Sequence, residues 1–278
     1  MKRNIYLKTI PPAEAVARVK ASIDREALIR EETIPSHEAS GRVLAHAVHA
    51  RYSSPTFHSA AMDGYAVNAR STFAAREGHP LTLKAGETCF AVNTGHPMPE
   101  GCDAVIMIEQ VVLDGGSVTI EAPAFPWQHV RRIGEDIVAT ELLFPRNHQL
   151  RPWDVGALLS GGIWDVPVWE RVTVRIIPTG DEVLDFTTHP DPGKGQVVES
   201  NSQMLAALAR ELGCVVERAA PVPDNPEALH QALKDSLDAG RHLTIFCAGS
   251  SAGSKDFTRA TLEKEGEILT HGIAAMPG

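Results

Sequence analysis

The stretch Val172-Thr173-Val174-Arg175-Ile176-Ile177-Pro178-Thr179-Gly180-Asp181-Glu182 decides the fold. Its first six residues are mostly β-branched and apolar on both parities. That pattern predicts a strand over 172–177 buried on both faces, as in a parallel sheet covered by helices. The turn residues that follow end the strand and deliver two acids. Downstream the pattern repeats. Asn201 opens a helix with Met204, Leu205, Leu208 and Leu212 on one face, closed by Gly213. Residues 215–216 begin a second strand. Asp224-Asn225-Pro226-Glu227 reads as a D-x-x-E capping box with Asp224 at the N-cap, opening a helix through Leu237. Residues 243–247 predict a third buried strand, and a helix should follow Asp256. Strand and helix in alternation predict a parallel sheet with right-handed crossovers.

Upstream, residues 139–171 are mixed, with a helix over 152–159 stopped by Gly161 and Gly162. From 51 to 138, short apolar runs at 65–67, 81–83, 104–108 and 118–120 are separated by Gly, Pro, Asn and Asp, the mark of a turn-dense β unit. Gly41 and the apolar 43–45 read as a turn into a short strand or helix. Residues 12–30 predict one helix, with Pro12 in its first turn, Val16, Val19, Ile23 and Ala27 at helical spacing, and a Glu14–Arg18 pair four residues apart.

Composition narrows the function. The 278 residues correspond to about two ordinary domains, and 43% hydrophobic with 22% charged residues excludes a disordered or collagen-like chain. Aromatics are only 5%, so the cores must be aliphatic, and 22 Gly with 19 Pro imply many turns. A net charge of −9 excludes a general nucleic-acid binder, which needs clustered Lys and Arg, but leaves room for a local anion pocket. Cys89, Cys102, Cys214 and Cys247 form no C-x-x-C pair, and scattered thiols suit a reducing cytoplasm. No signal-peptide pattern and no run of about 18 apolar residues is present, so neither export nor a membrane span is expected. The histidines make no H-E-x-x-H motif, and His46 with His49 is more simply a surface pair than a metal site.

In an open parallel sheet, ligands bind beyond the carboxyl ends of the strands. This selects three loops: 178–182, 221–224 and 248–256. The first two carry carboxylates. The third, Ala248-Gly249-Ser250-Ser251-Ala252-Gly253-Ser254-Lys255-Asp256, carries Gly and Ser amides that can cradle an anion, plus a carboxylate. Carboxylates beside such a cradle can hold Mg²⁺, which favours oxygen ligands and substrate phosphates. A site for a phosphorylated ligand with a metal ion is expected. Asp224 and Asp256 also have a purely structural explanation as helix N-caps; Glu182 has none of that kind. Residues 249–253 fit the G-x-S-x-G nucleophile elbow of serine hydrolases. After Ser251 the only Asp is Asp256 and the only His is His271, too close in sequence for the strands that fold requires, which argues against that reading.

Two further stretches are too specific to be generic turns: Ser59-Ala60-Ala61-Met62-Asp63-Gly64-Tyr65-Ala66-Val67 and Asn93-Thr94-Gly95-His96-Pro97-Met98-Pro99-Glu100-Gly101-Cys102-Asp103-Ala104-Val105. With Gly134-Glu135-Asp136-Ile137, Thr179-Gly180-Asp181-Glu182, Ser200-Asn201 and the 248–256 loop, the set resembles the MoeA family of molybdopterin molybdenumtransferases, to which the gephyrin E domain is related. The resemblance implies an α/β multidomain chain. An elongated mixed domain would come from 1–49 and 139–171, and an inserted β-rich domain from 50–138. A MogA-like three-layer α/β parallel-sheet domain would span 172–278 but be incomplete, with the family's C-terminal β domain absent. It also implies a homodimer with the active site between subunits and a MogA-like molybdopterin adenylyltransferase as partner. The implied reaction inserts molybdenum from molybdate into adenylylated molybdopterin and releases AMP.

Carried over residue by residue, the resemblance makes Asp63, Glu182 and Asp256 catalytic, with Glu182 and Asp256 holding Mg²⁺. Thr94, Gly249, Ser251 and Gly253 would donate to the anions, and Asp136 and Asp224 match acidic ligand-binding positions. The loop departs from the family pattern at Ala248, Ser250, Ala252 and Ser254, Asn225 replaces a second acid, and Met276 stands where the family has Lys. These departures leave two expectations open: a piece of a transferase, or a paralogue that holds molybdopterin without turnover.

Overall fold

The computed structural model describes residues 9–28, 30–247 and 257–275. Two compact units result, one formed by Thr33–Val168 and the other by Met1–Glu32 with Trp169–Gly278.

The Thr33–Val168 unit is turn-dense and mostly antiparallel. Strand Gly64–Val67 lies between Cys89–Val92 and Ala104–Met107. Ser117–Ile120 lies between Leu81–Lys84 and Val111–Asp114. Alternation sets the faces: Val118 and Ile120 are buried with Val67, Leu83 and Ile106, while Thr119 meets Thr82 on the other face. Two-residue ladders join Ser59–Ala60 to Val130–Arg131 and Val48–His49 to Leu142–Phe144. A separate core gathers Leu44, Leu150, Leu158, Val166 and Val168 around the helix Pro152–Ser160, which ends at Gly161. Leu158 is fully buried there, so its truncation to Ala costs about 2–5 kcal/mol.

One glycine in this unit is dictated by close approach. A Cβ on Gly64 would stand 2.0 Å from the carbonyl oxygen of Ile106 on the neighbouring strand, so no side chain fits between the two backbones.

The other unit holds the parallel sheet. Thr173–Pro178 is its centre, flanked by Val215–Arg218 and Leu243–Cys247. Helix Asn201–Glu211 covers one face: Leu205, Ala206 and Ala209 pack with Val174, Ile176 and Val216. The Oγ of Ser236 on helix Pro226–Asp238 meets Thr244 Oγ1 at 2.5 Å, and Thr244 pairs with Arg175, whose parity is opposite to that of Val174 and Ile176. The second helix therefore covers the opposite face. Three layers follow from right-handed crossovers in opposite directions, the first from the central strand to Val215–Arg218 and the second from there across the central strand to Leu243–Cys247, which puts the topological switch point at the central strand's carboxyl end. Helix Phe257–Glu265 lies against Pro226–Asp238, and a short parallel ladder pairs Thr9–Ile10 with Gly272–Ile273.

Three local expectations are corrected. The helix at 12–30 is two pieces, Pro12–Ser22 and Arg25–Leu28. Ile23 is extended, and Asp24 restarts the helix by accepting the Ala27 N–H at 3.2 Å. Val16, Val19 and Ile23 are exposed, while the Glu14–Arg18 pair forms at 2.7 Å. On Asn201–Glu211, Leu205 faces the sheet as expected, but Met204, Leu208 and Leu212 are exposed; the rest of the buried face is made of small residues, Ser202, Ala206 and Ala209, which let the helix approach closely. The N-cap of the next helix is Asn225, whose side chain accepts the Ala228 N–H at 2.8 Å, and not Asp224. Pro226 occupies the first helical position, which leaves the residue directly before it as the cap.

Candidate functional site

The switch-point loop begins at Thr179, which is buried and tied to the neighbouring strand: its N–H and hydroxyl donate to the Cys247 carbonyl at 2.9 and 3.2 Å. On the other side the Gly180 N–H donates to Val222 O at 3.1 Å. The loop is thus pinned to both flanking segments, and the acids that follow are projected outward. Gly180 has φ +138°, and a Cβ there would stand 3.0 Å from each Glu182 carboxylate oxygen. The glycine leaves room for that carboxylate to fold back over the loop while staying exposed. Asp181 Oδ1 accepts the Asp224 backbone N–H at 3.1 Å, so the first two predicted loops are joined at the sheet's carboxyl edge. With Asn225 as the cap, the capping explanation for Asp224 falls away.

Behind this edge lies a charged cluster that the pattern of the sequence does not announce. Glu199 is buried and accepts from Ser202 through its N–H at 2.7 Å and its hydroxyl at 2.5 Å. Arg218, at the carboxyl end of its strand, donates to Ser202 Oγ at 2.9 Å, to Glu199 Oε2 at 3.3 Å and to Asp185 Oδ1 at 3.3 Å. Its guanidinium stacks 4.5 Å from the Phe186 ring centroid. Burial, and secondarily the Glu199 charge, push the Cys247 thiol up, so it stays protonated. The only readable signal was an Arg inside an otherwise strand-like run; its partners come from distant segments.

In the Thr33–Val168 unit, Asp63 and Thr94 are brought together. Residues 93–96 form a tight turn, with the His96 N–H donating to Asn93 O at 2.9 Å and Gly95 at φ +85° as a type II turn requires. This presents Thr94, whose N–H and hydroxyl both donate to Asp63 Oδ1, at 2.7 and 3.0 Å. Those two bonds hold the exposed Asp63 carboxyl below its ordinary range, with a smaller contribution from nearby His96. Thr94's donors are directed at Asp63, so its contribution is to fix that carboxylate. Asp136 is engaged by Arg131, whose Nη2 lies 2.6 and 2.5 Å from its two oxygens. This pairing also raises the already high pKa of Arg131. The partner could not be singled out in the sequence because Arg131 and Arg132 are adjacent.

Gly249, Ser251, Gly253 and Asp256 lie outside the described residues, as do Ala248 and Met276. Among the described residues no group of three His, Cys, Asp or Glu is arranged to hold a metal ion. Cys89, Cys102, Cys214 and Cys247 are all free thiols. No described helix is long and apolar enough to cross a membrane.

A three-layer parallel α/β unit with acidic loops at its switch point, in one chain with a turn-dense β unit bearing a fixed carboxylate, defines a multidomain α/β protein with a candidate ligand site at the sheet's carboxyl edge. Residues 10–162 match the family model described as the MoeA N-terminal region (domain I and II), and 175–278 match the model described as "Probable molybdopterin binding domain". The chain belongs to the MoeA family. It is 30% identical over 264 residues to a molybdopterin molybdenumtransferase of Synechococcus elongatus, covering 89% of this chain and 65% of the relative. It is 33% identical over 267 residues to one of Haemophilus influenzae, covering 89% and 63%. The chain thus spans just under two thirds of the length of these relatives. A crystal structure of a molybdopterin biosynthesis MoeA protein from Pyrococcus horikoshii superposes with a TM-score of 0.78 at 28% identity, covering 98% of this chain and 70% of that one. A second from the same organism gives 0.72 at 30% identity, covering 86% and 66%.

Proposed function

We propose that the chain carries the molybdenum-inserting activity of its relatives: it takes adenylylated molybdopterin and molybdate, cleaves the adenylyl phosphoanhydride with release of AMP, and places molybdenum on the dithiolene sulfurs. The observation that carries this reading is the exposed Glu182 carboxylate on a loop pinned at the switch point of the parallel sheet. Phosphoanhydride cleavage needs positioning and charge neutralisation at phosphate oxygens, not a covalent nucleophile.

Carboxylates are hard oxygen donors, and a small set of them suits Mg²⁺, which keeps several waters and shares substrate phosphates. Glu182, with Asp256, would hold that ion, and its chemistry there is Lewis-acid polarisation of phosphate oxygens. Asp63, held ionised by Thr94, cannot face phosphate without repulsion. Its role is to accept from an N–H or O–H of the substrate and so set the orientation. Asp136, neutralised by Arg131, leaves a local balance of charge that an anionic ligand tolerates. By the same resemblance the chain acts as a homodimer and receives its substrate from a MogA-like adenylyltransferase. The three modules are 1–49 with 139–171, 50–138, and 172–278.

Incubation with adenylylated molybdopterin, Mg²⁺ and molybdate tests this. Molybdate-dependent release of AMP is the expected result. Tight binding of the substrate with no AMP release would overturn it in favour of a binding paralogue. Ester hydrolysis abolished by Ser251→Ala would favour the serine-hydrolase reading instead.

A further inference from the structure

We propose that Arg218 is the positioning residue for the Glu182 carboxylate; this rests on the reading of Glu182 given above. Glu182 sits at the head of a very small element. Val183–Leu184 pairs in parallel with Val197–Val198, and the ladder is bounded by the Val197 N–H donating to Glu182 O at 3.0 Å and the Glu199 N–H donating to Leu184 O at 2.9 Å. Two strands of two residues, with exposed valines at 197 and 198, do not hold themselves in place. Something must fasten the ladder to the sheet.

Arg218 does so at the end away from Glu182. It belongs to a core strand and is only 12% exposed. One guanidinium reaches Asp185, the residue after the first small strand, and Glu199, the residue after the second, while stacking on Phe186. Asp185 in turn accepts from the Thr187 N–H and hydroxyl at 3.0 and 2.9 Å, which fixes the short turn Phe186–Thr188 and holds the Asp185 carboxyl below its ordinary range. Glu199 is likewise tied to the start of helix Asn201–Glu211 through Ser202. The planar fork of Arg satisfies two carboxylates, a hydroxyl and an aromatic face at once, which a lysine ammonium cannot reproduce. Removing it leaves two acids facing each other, one of them buried, with no cation between them.

The test is amide hydrogen exchange with AMP-release kinetics on the full chain. In Arg218→Met the amides of Val197 and Glu199 should exchange at least about tenfold faster, while those of the Thr33–Val168 unit keep their rates. kcat for AMP release should fall about tenfold or more, with KM for adenylylated molybdopterin changed less than about threefold. Arg218→Lys should not restore kcat. Unchanged protection at Val197 and Glu199 in folded Arg218→Met, or full rescue by Lys, overturns the proposal. If Arg218→Met does not fold, Asp185→Asn keeps the Arg218–Glu199 pair and should still speed Val197 exchange; wild-type protection there overturns the proposal equally. A wild-type chain that releases no AMP defeats the functional reading, and the exchange rates then decide the clamp by themselves.

Discussion

Asp63 and Asp154 lie in the same unit and both are held more acidic than an ordinary aspartate, yet they do opposite things. Asp154, at the start of helix Pro152–Ser160, is 3% exposed, and both of its oxygens are taken. Oδ2 accepts the Arg151 N–H at 2.9 Å and its Nε at 3.0 Å and meets His148 Nε2 at 2.7 Å; Oδ1 accepts from Arg151 Nη2 at 3.1 Å. The Arg151 guanidinium is the main cause of its strongly lowered pKa, which burial alone would raise. Asp63 is exposed, and both Thr94 bonds land on Oδ1. A fixed carboxylate on the surface is equipped for a ligand; a buried one with both oxygens engaged is equipped for the fold. Glu182 and Glu199 repeat the contrast in the other unit.

The largest effect that tests this contrast is Glu182→Gln, expected to lower AMP release by about 10³-fold with no loss of thermal stability. Asp63→Asn should cost about 10²-fold in kcat, and Thr94→Ala about tenfold, because Asp63 then keeps its charge but loses its orientation. Unchanged kcat in Asp63→Asn would place that carboxylate outside the reaction. Asp154→Asn, by contrast, should lower unfolding free energy by roughly 1.5–3 kcal/mol, read by denaturant titration, and leave kcat in place.

Much of this contrast was hidden in the sequence, for reasons that particular residues make plain. The apolar run at 243–247 is a strand in the structure with the same bounds, but it is less buried than expected: Leu243 is exposed, 244–246 are half-buried and only Cys247 is buried. Helix Asn201–Glu211 was legible in extent but only partly in face: Leu205 meets the sheet with Ala206 and Ala209, while Met204, Leu208 and Leu212 are exposed. Asn225 was legible as the cap once Pro226 is placed at the first helical position, a constraint that outranks the D-x-x-E pattern. Arg218, Asp185 and Glu199 were not legible together, since their contact joins three segments that only the folded sheet edge brings together. The Asp63–Thr94 bond spans 31 residues, and each residue was singled out only through its motif.

A smaller effect separates the same residues by pH. Asp154 has a folded pKa below its unfolded value of about 3.9, so its contribution to stability is complete above that value. That contribution is lost as pH falls through the folded pKa. The stability gap between wild type and Asp154→Asn should therefore be constant near neutrality and shrink in strong acid. A gap that persists undiminished in acid would show that Asp154 acts through shape and not through charge.

The central claim is that exposed, one-sided carboxylates run the chemistry and enclosed ones hold the fold. Measuring AMP-release kcat and denaturant midpoint side by side on Glu182→Gln and Asp154→Asn tests it most directly. The account predicts a crossed result, with Glu182→Gln as stable as wild type but inactive, and Asp154→Asn less stable but turning over at the wild-type rate. Equal loss of turnover in both folded variants, or full activity in Glu182→Gln, would contradict it.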